Sequence, residues 1–226
     1  MDWHRLAAYH LPGGELGDWG AAWLGWDPRR GVEVVQPKLT GLPLSVRDLT
    51  ATPRRYGFHA TIKAPFRLAA GASIDDALAS LRRIASEYSP FAMPLQLFDD
   101  WGILCLRPAT QPDALQRLER ALVHGLDHLR APLTTDEIAR RDPARLTPEG
   151  RANLTAWGYP HVLGLFQYHL TLSGALPTSE LRAAKAALQP VMNRLLTRPM
   201  QLRSIALLGE DAAGHFHVIE DVPLGL

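Results

Sequence analysis

Two short stretches of the chain alternate between polar and apolar positions, a pattern that predicts strands with one buried face. The polar or small positions of the first stretch, residues 55–66, are Arg55, Gly57, His59, Thr61 and Lys63. In the second stretch, residues 165–172, the polar positions are Gln167, His169 and Thr171, and Ser173 continues the same alternation one residue beyond it. The intervening positions are apolar or aromatic in both. Each strand is therefore expected to bury one side and to present a histidine and a threonine on the other.

A helical pattern and then a hairpin pattern follow each of these stretches. The first helix is predicted over residues 73–88 with Ser73 as N-cap, and the second over 178–195 with Thr178 or Ser179 as N-cap. Hairpins are predicted over 91–106, with the turn at 99–102, and over 200–222, with the turn at 209–214. His59 lies 34 residues before Met93, and His169 lies 31 residues before Met200. The shared order and near-equal spacing predict an internal repeat.

The remaining segments predict a short strand over 6–9, a helix over 19–26 and mainly loop over 27–55. An amphipathic helix is predicted over 113–130, because Leu115, Leu118, Leu122 and Leu126 recur on one face. Helical pieces broken at Pro143 and Pro148 are expected over 135–157. We therefore predict one domain over residues 1–226, with repeats at about 55–108 and 163–224 and a helical insertion at about 112–158.

Composition narrows the class of protein. Apolar residues make up 46% of the 226 positions and charged residues 21%, as in ordinary globular proteins. The formal net charge of +1 argues against general attraction to duplex nucleic acid or to an anionic membrane. Cys105 is the only cysteine, which excludes an intrachain disulfide. No signal-peptide pattern or run of membrane-helix length is present, so a cytoplasmic location without membrane association is expected.

The two His-x-Thr pairs are the candidate chemistry. A single His-x-Thr occurs by chance, but two copies at matching places in two similar halves indicate a shared cleft. The imidazole pKa near 6.5 suits both the base that activates water and the acid that protonates a leaving oxygen. Hydroxyls at Thr61 and Thr171 would donate to phosphate oxygens, and Arg55 and Lys63 would add positive charge. This pattern predicts phosphodiester hydrolysis with no metal and no cofactor.

Other polar residues receive weaker assignments. Tyr159, Gln167 and Ser173 are placed with the predicted substrate-binding residues, although Tyr159 is equally compatible with packing. His124 and His128 are four residues apart on one helix, but no third metal ligand is near in sequence. The pair Arg140–Arg141 is expected on a solvated helix face unless that segment folds over the cleft. We expect His215 and His217 on a solvent-facing strand edge.

The stretches Tyr56-Gly-Phe-His-Ala-Thr-Ile-Lys-Ala-Pro-Phe66 and Tyr168-His-Leu-Thr-Leu-Ser-Gly174 resemble the paired motifs of the 2H phosphoesterase superfamily. More narrowly, the chain resembles the DUF1045 family, a branch associated with phosphonate metabolism. Further support comes from Ala22-Trp-Leu-Gly-Trp-Asp27 and Ala156-Trp-Gly-Tyr-Pro-His161. The resemblance implies an α+β fold in which two pseudo-symmetric lobes, each an antiparallel sheet with a helix, surround a central cleft. It also implies that His59 and His169 are the acid/base pair and that Thr61 and Thr171 bind the phosphate.

The expected partner is a small phosphorylated substrate, with no obligate protein partner. The leading hypothesis is a cyclic phosphodiesterase, and association of the family with carbon–phosphorus lyase genes suggests a ribosyl 1,2-cyclic phosphate. Processing of an RNA 2′,3′-cyclic phosphate or 2′–5′ linkage stays open, since Arg54, Arg55 and Arg67 leave room for a short RNA. A non-catalytic phosphoester-binding protein is the third alternative.

Overall fold

A computed structural model describes residues 2–225 as a mixture of helices and antiparallel strands. The strands are β1 (Arg5–His10), β2 (Trp26–Asp27), β3 (Val32–Glu33), β4 (Ala60–Phe66), β5 (Phe91–Met93), β6 (Gln96–Phe98), β7 (Cys105–Arg107), β8 (Leu170–Thr171), β9 (Met200–Leu202), β10 (Ser204–Glu210) and β11 (Phe216–Pro223). The α-helices are α1 (Gly14–Leu24), α2 (Val46–Leu49), α3 (Ile74–Ser86), α4 (Asp113–Gly125), α5 (Thr135–Ala139), α6 (Pro148–Trp157) and α7 (Thr178–Leu195). No helix among these residues has the length and apolarity needed to cross a membrane.

Local sequence explains where several helices begin. The Ser73 side chain accepts a hydrogen bond from the Asp76 amide and Asp76 accepts one from the Ser73 amide, so α3 starts with a capping box. Thr134 and Glu137 form the same arrangement before α5. Pro148 occupies the first turn of α6, where its missing N–H has no helical partner to lose.

Two sheets carry the two motif segments. The larger has the strand order β11-β10-β1-β4 and includes the strand that follows His59. The smaller has the order β6-β7-β8 and includes the strand that follows His169. Helix α3 packs on β10 and β11, and helix α7 packs on β6. The predicted α+β class with antiparallel sheets is therefore confirmed.

The two repeats exchange their hairpins. Strand β4 of the first repeat shares a sheet with the β10–β11 hairpin of the second, whereas β8 of the second pairs with β7 of the first. The chain crosses between the lobes where β5 pairs with β9, and there Met93 lies opposite Met200. The near-equal spacing from each histidine to these methionines thus reflects one pseudo-symmetric crossing. Each spatial lobe is a composite of both repeats, which the contiguous ranges 55–108 and 163–224 did not anticipate.

The large sheet has different surroundings on its two faces. Leu6 and Ala8 of β1 belong to the main core, which also contains the apolar sides of α3, α4 and α7. Ala7 and Tyr9, on the opposite face, belong to a small cluster with Phe216. This second face is the one that carries the candidate site described below.

Several predicted boundaries were wrong. The first motif strand begins at Ala60 because residues 54–56 form a 3-10 turn, and the second contains only Leu170–Thr171. The strand over 91–93 pairs with β9, so only β6 and β7 form the first hairpin. The helix expected over 19–26 spans Gly14–Leu24, and the one expected over 113–130 ends at Gly125. Pro177, rather than Thr178 or Ser179, occupies the N-cap of α7.

Because the core joins both repeats, a cavity in β10 should destabilise the whole chain. Leu207 is fully buried in the main core, and Leu207→Ala is expected to lower the free energy of unfolding by about 2–5 kcal/mol. Val35 is 91% exposed, so Val35→Ala should change it by less than about 0.5 kcal/mol. Urea unfolding followed by tryptophan fluorescence and by circular dichroism measures both. Two separate transitions in the wild-type chain would contradict a core shared by the repeats.

Candidate active site

His59 is held by the turn that precedes β4. The 3-10 turn at Arg54–Tyr56 ends at Gly57, whose φ of 71° lies in a region that favours glycine. A Cβ at Gly57 would also come within 2.7 Å of Pro28. The turn lets the Nδ1–H of His59 donate to the Gly57 carbonyl at 3.0 Å. The other nitrogen, Nε2, is therefore an acceptor, and the Thr61 hydroxyl lies 3.1 Å from it.

His169 has the same relation to its own backbone. Its Nδ1–H donates to the Gln167 carbonyl at 2.8 Å, again two residues earlier in the chain. A carbonyl can only accept, so both histidines are held in the tautomer that leaves Nε2 for proton transfer. The two motifs thus share tautomer and local geometry as well as residue type.

Two adjoining cavities contain the histidines. The His169 cavity, of about 460 Å³, is lined by Thr61, Ile62, Ala64, Trp101, Tyr159, His161, Val162, Leu165, Phe166, Gln167 and His169. The His59 cavity, of about 170 Å³, is lined by Arg5, Tyr9, Tyr56, His59, Thr61, Ala64, Pro65, Arg141 and Tyr159. Thr61, Ala64 and Tyr159 line both, so the two cavities meet at these residues.

Aromatic rings fix the orientation of both imidazoles. The Tyr9 ring stacks on His59 with centroids 3.8 Å apart. Trp101, which is 41% exposed, meets His169 edge to face at 5.4 Å. The Arg107 guanidinium lies 4.1 Å from the Trp101 ring centroid and supports that exposed ring. Each histidine therefore has at least one ring neighbour that restricts its rotation.

Positive charge enters the His59 cavity from segments outside the two motifs. Arg5 donates from Nε and Nη2 to the Glu210 carboxylate at 2.5 and 2.6 Å, so part of its charge is neutralised. The Arg141 guanidinium lies 4.8 Å from the Tyr159 ring centroid. No carboxylate among residues 2–225 forms an ion pair with Arg141. Its charge is available to an anion in the cavity.

Burial favours the neutral form of both histidines. It lowers the pKa of His59 to about 4, against the opposing effect of the Gly57 carbonyl, and the charge of His169 lowers it further. Burial also lowers the pKa of His169, to which Arg107 and His161 contribute in the same direction. The interaction between the two imidazoles means that a proton on one opposes a proton on the other.

Three side chains predicted as substrate contacts lie outside the linings of both cavities, and two of them, Lys63 and Ser173, are buried against other parts of the protein. Lys63 is 2% exposed, and its ammonium donates to Asp127 at 2.9 Å and to the Val123 carbonyl at 3.1 Å. Ser173 is buried, where it accepts from the Leu104 amide and donates to the Gly174 carbonyl. Arg55 lies in the 3-10 turn, out of phase with β4, and donates to the Tyr56 hydroxyl. None of the three lines either cavity.

Other predicted residues fall at or near the cavities. Tyr159 and Gln167 line them, and the segment carrying Arg141 does fold over the site. Thr171 lies in β8 opposite Cys105, two residues after His169, and is half-buried without lining either cavity. The roles assigned to these side chains stay predictions.

Three histidines outside the site have structural partners. His124 stacks on Trp157 at 4.5 Å, and His217 hydrogen-bonds to Asp211 at 2.8 Å. His215 packs against Trp26 and directly precedes β11, an edge strand of the large sheet, so the predicted edge position is confirmed but the ring is half-buried rather than fully solvent-facing. Within residues 2–225, no group of three or more His, Cys, Asp or Glu side chains has the spacing needed to hold a metal ion.

Sequence reasoning missed Arg5, Tyr9, Trp101 and His161. In β1 the alternation of Arg5, Ala7 and Tyr9 is a signal that could have indicated one shared face. Nothing in the sequence pairs that strand with β4, however, because 49 residues separate His10 from Ala60. The exposed tryptophan lies in a turn, where spacing gives no direction for the side chain.

Comparison with known proteins identifies a matching family and two relatives. Residues 61–217 match the family described as "Protein of unknown function (DUF1045)". Two curated relatives carry the name ribose 1,5-bisphosphate phosphokinase PhnN. The relative from Janthinobacterium sp. (strain Marseille) is 32% identical over 86% of this chain and 44% of its own length. The relative from Laribacter hongkongensis (strain HLHK9) is 33% identical over 93% of this chain and 49% of its own length. The chain therefore spans about half the length of these relatives.

Among solved structures, the chain is similar to E. coli LigT complexed with 3′-AMP, at 13% identity and a TM-score of 0.47 with 100% of both chains covered. It is also similar to TT0787 of Thermus thermophilus, at 18% identity and a TM-score of 0.46 with 98% of both chains covered.

The lowered histidine pKa values predict a stability that depends on pH. The folded-state pKa values of His59 and His10, about 4 and about 3, lie below the ordinary 6.5. The unfolded chain therefore binds more protons as the pH falls below 6.5. The contribution of these groups to stability is complete above pH 6.5 and is lost progressively as the pH falls from 6.5 to the folded-state pKa values of about 4 and about 3.

Urea midpoints measured at pH 7 and at pH 4.5 test this. His10→Gln should reduce the loss of stability between the two pH values, because it removes one of the groups with a lowered pKa. The carboxylates that also titrate in this range are present in both proteins and do not affect the comparison. An equal loss in wild type and variant would contradict the assignment.

Proposed function

We propose that this chain, which belongs to the DUF1045 family, is a metal-independent phosphodiesterase that hydrolyses a small cyclic phosphodiester. The observation that supports this most directly is the shared tautomer of His59 and His169 in adjoining cavities. Two neutral imidazoles that interact electrostatically can hold one proton between them. With one proton on the pair, one imidazole can act as the base and the other as the acid at the same phosphorus.

The reaction balances without a further reactant. One imidazole takes a proton from water through Nε2 as the water oxygen attacks phosphorus. The protonated imidazole opposite gives its proton to the ring oxygen as the P–O bond breaks. The Thr61 hydroxyl and the Arg141 guanidinium stabilise the non-bridging oxygens, where charge accumulates in the transition state. A bound dianionic transition state would raise the pKa of the acid, which burial otherwise keeps low.

A ribosyl 1,2-cyclic phosphate is the substrate we favour. Cleavage of such a ring at the bond to O2 leaves the phosphate on O1. With a phosphate also on O5, the product would be ribose 1,5-bisphosphate, the sugar in the name of the two relatives. None of the three lysines follows a glycine, so the chain lacks the GxxxxGK[ST] motif of phosphate-binding loops. We therefore propose no kinase activity for this chain.

Hydrolysis should persist in EDTA, because every proposed acid, base and phosphate ligand is a side chain. The substrates to compare are ribose 1,2-cyclic phosphate with and without a 5-phosphate, nucleoside 2′,3′-cyclic phosphates and short RNA ends. His59→Ala and His169→Ala should each lower kcat by about 10²–10⁴-fold. The double variant should lose less than the product of the two.

Binding of these compounds without turnover would support a non-catalytic phosphoester-binding protein instead. Loss of turnover in EDTA with recovery on adding a divalent ion would contradict the mechanism. Preference for RNA ends over all small cyclic phosphates would favour the RNA-processing alternative.

Arg141 and its neighbour provide a matched pair of variants. Arg141 lines the His59 cavity, whereas Arg140 is exposed and lines neither cavity. Arg141→Ala should reduce kcat/KM by about 10–100-fold, corresponding to the loss of one charge-assisted hydrogen bond of roughly 1.5–3 kcal/mol. Arg140→Ala should leave kcat/KM nearly unchanged. If the two variants lowered kcat/KM equally in steady-state assays, Arg141 would contribute only its long-range charge and not a contact with the substrate.

A further inference from the structure

The backbone that carries His169 lies outside the β-ladder. Strand β8 contains only Leu170–Thr171, and the residues from Phe166 to His169 are not strand. An acid or base must be held within a fraction of an ångström of its productive position. Other contacts must therefore supply the restraint that a longer ladder would give.

Gln111 supplies part of this restraint. Its Oε1 accepts from the Tyr168 amide at 2.5 Å, and its Nε2 donates to the Phe166 carbonyl at 2.9 Å. A neighbouring antiparallel strand would bond an N–H and a C=O in a similar way. The two bonds lie on either side of Gln167, whose carbonyl accepts from His169. Movement of the Phe166–Tyr168 backbone would therefore be transmitted to the His169 ring.

The Tyr168 side chain supplies a second restraint, which reaches the other lobe. Its hydroxyl lies 2.7 Å from Nδ1 of His10, and both residues are buried. Burial keeps His10 neutral by lowering its pKa to about 3. His10 follows Tyr9 in β1, and the Tyr9 ring is the one that stacks on His59. One hydrogen bond thus connects the residue before His169 with the strand that supports His59.

We propose that Gln111, Tyr168 and His10 are positioning residues that together hold His169 at its working distance from His59. This inference rests on the proposed two-histidine function and adds to it three residues that touch neither substrate nor phosphorus. The pair His10–Tyr168 crosses between the lobes, and Gln111 holds the backbone at the end of that link. Both imidazoles are then placed before substrate binds.

Tyr168→Phe, Gln111→Met and Gln111→Glu test the proposal in the full chain. Tyr168→Phe keeps the ring and removes the hydroxyl, and Gln111→Met keeps the side-chain length and removes both hydrogen bonds. Each should lower kcat by up to about 10²-fold while KM changes little, because the substrate contacts stay intact. Gln111→Glu keeps the acceptor for the Tyr168 amide and should fall between wild type and Gln111→Met. Tyr88→Phe is the matched control, since it removes a tyrosine hydroxyl that bonds only to the exposed Arg117 carbonyl.

Imidazole ¹⁵N spectra provide a readout that a general loss of stability would not move. In the wild type, both histidines should show the Nδ1–H tautomer. In Gln111→Met, His169 should shift toward a mixture of tautomers while His59 keeps its signal. A kcat equal to wild type in folded variants, a change in KM alone, or an unchanged His169 signal would overturn the proposal.

The spectra also separate this proposal from the proposed function. If the wild-type chain hydrolyses no cyclic phosphate, the proposed function fails, while the His169 signals still decide whether these residues position the ring. If Gln111→Met does not fold, Gln111→Glu and Tyr168→Phe decide the outcome by the same two measurements.

Discussion

Each motif segment lies in a sheet that strands of the other repeat complete, and the rest of this structure depends on that constraint. Strand β4 is a sheet edge completed by β1 and the β10–β11 hairpin, and β8 is completed by β7. Neither repeat can satisfy its backbone hydrogen bonds or cover its apolar faces alone. The β5–β9 crossing, with Met93 opposite Met200, is where the two halves exchange hairpins. The cavities between the motifs therefore exist only when both composite lobes are complete. The same pairing between the repeats supports both the site and the stability of the chain.

The same geometry determines the protonation state of the site. Because Nδ1–H of each imidazole donates to a carbonyl two residues earlier, Nε2 is the group left for chemistry at both His59 and His169. Burial favours the neutral form of each, and their mutual repulsion disfavours a second proton. At neutral pH, and without a bound anion, both imidazoles are consequently neutral and can act only as bases. A phosphodiester carries the negative charge that makes one proton favourable there. Under the proposed function, binding of the anionic substrate would itself favour protonation of the imidazole that acts as the acid.

The parts of this arrangement that sequence could predict were those set by local pattern. Helix α3 follows from the Ser73–Asp76 capping box and its apolar stripe, and the two motifs follow from their matched spacing. The alternation of polar and apolar positions did not distinguish a polar residue that is buried from one that faces the site. In the sequence Lys63 is in phase with Thr61, but a register shift between β1 and β4 interrupts the alternation, and the Lys63 charge is satisfied by Asp127, which lies 64 residues away. Likewise, β1 reaches the site only through its pairing with β4, and β5 leaves its expected hairpin to pair with β9. Long-range strand pairing of this kind has no local signal.

The proton-transfer groups are symmetric, but their surroundings are not. Both histidines come from the repeats, whereas the cations of the His59 cavity come from elsewhere: Arg5 from the first strand and Arg141 from the insertion. The His169 cavity is larger and mainly apolar and aromatic, with Trp101 exposed at its mouth. A pseudo-twofold pair of imidazoles does not by itself distinguish the two ends of a substrate, because either could act as acid or base. Charge on one side and an apolar wall on the other impose that distinction. Under the proposed function, segments outside the repeats would determine which way a phosphodiester lies, and with it which P–O bond is opposite the attacking water.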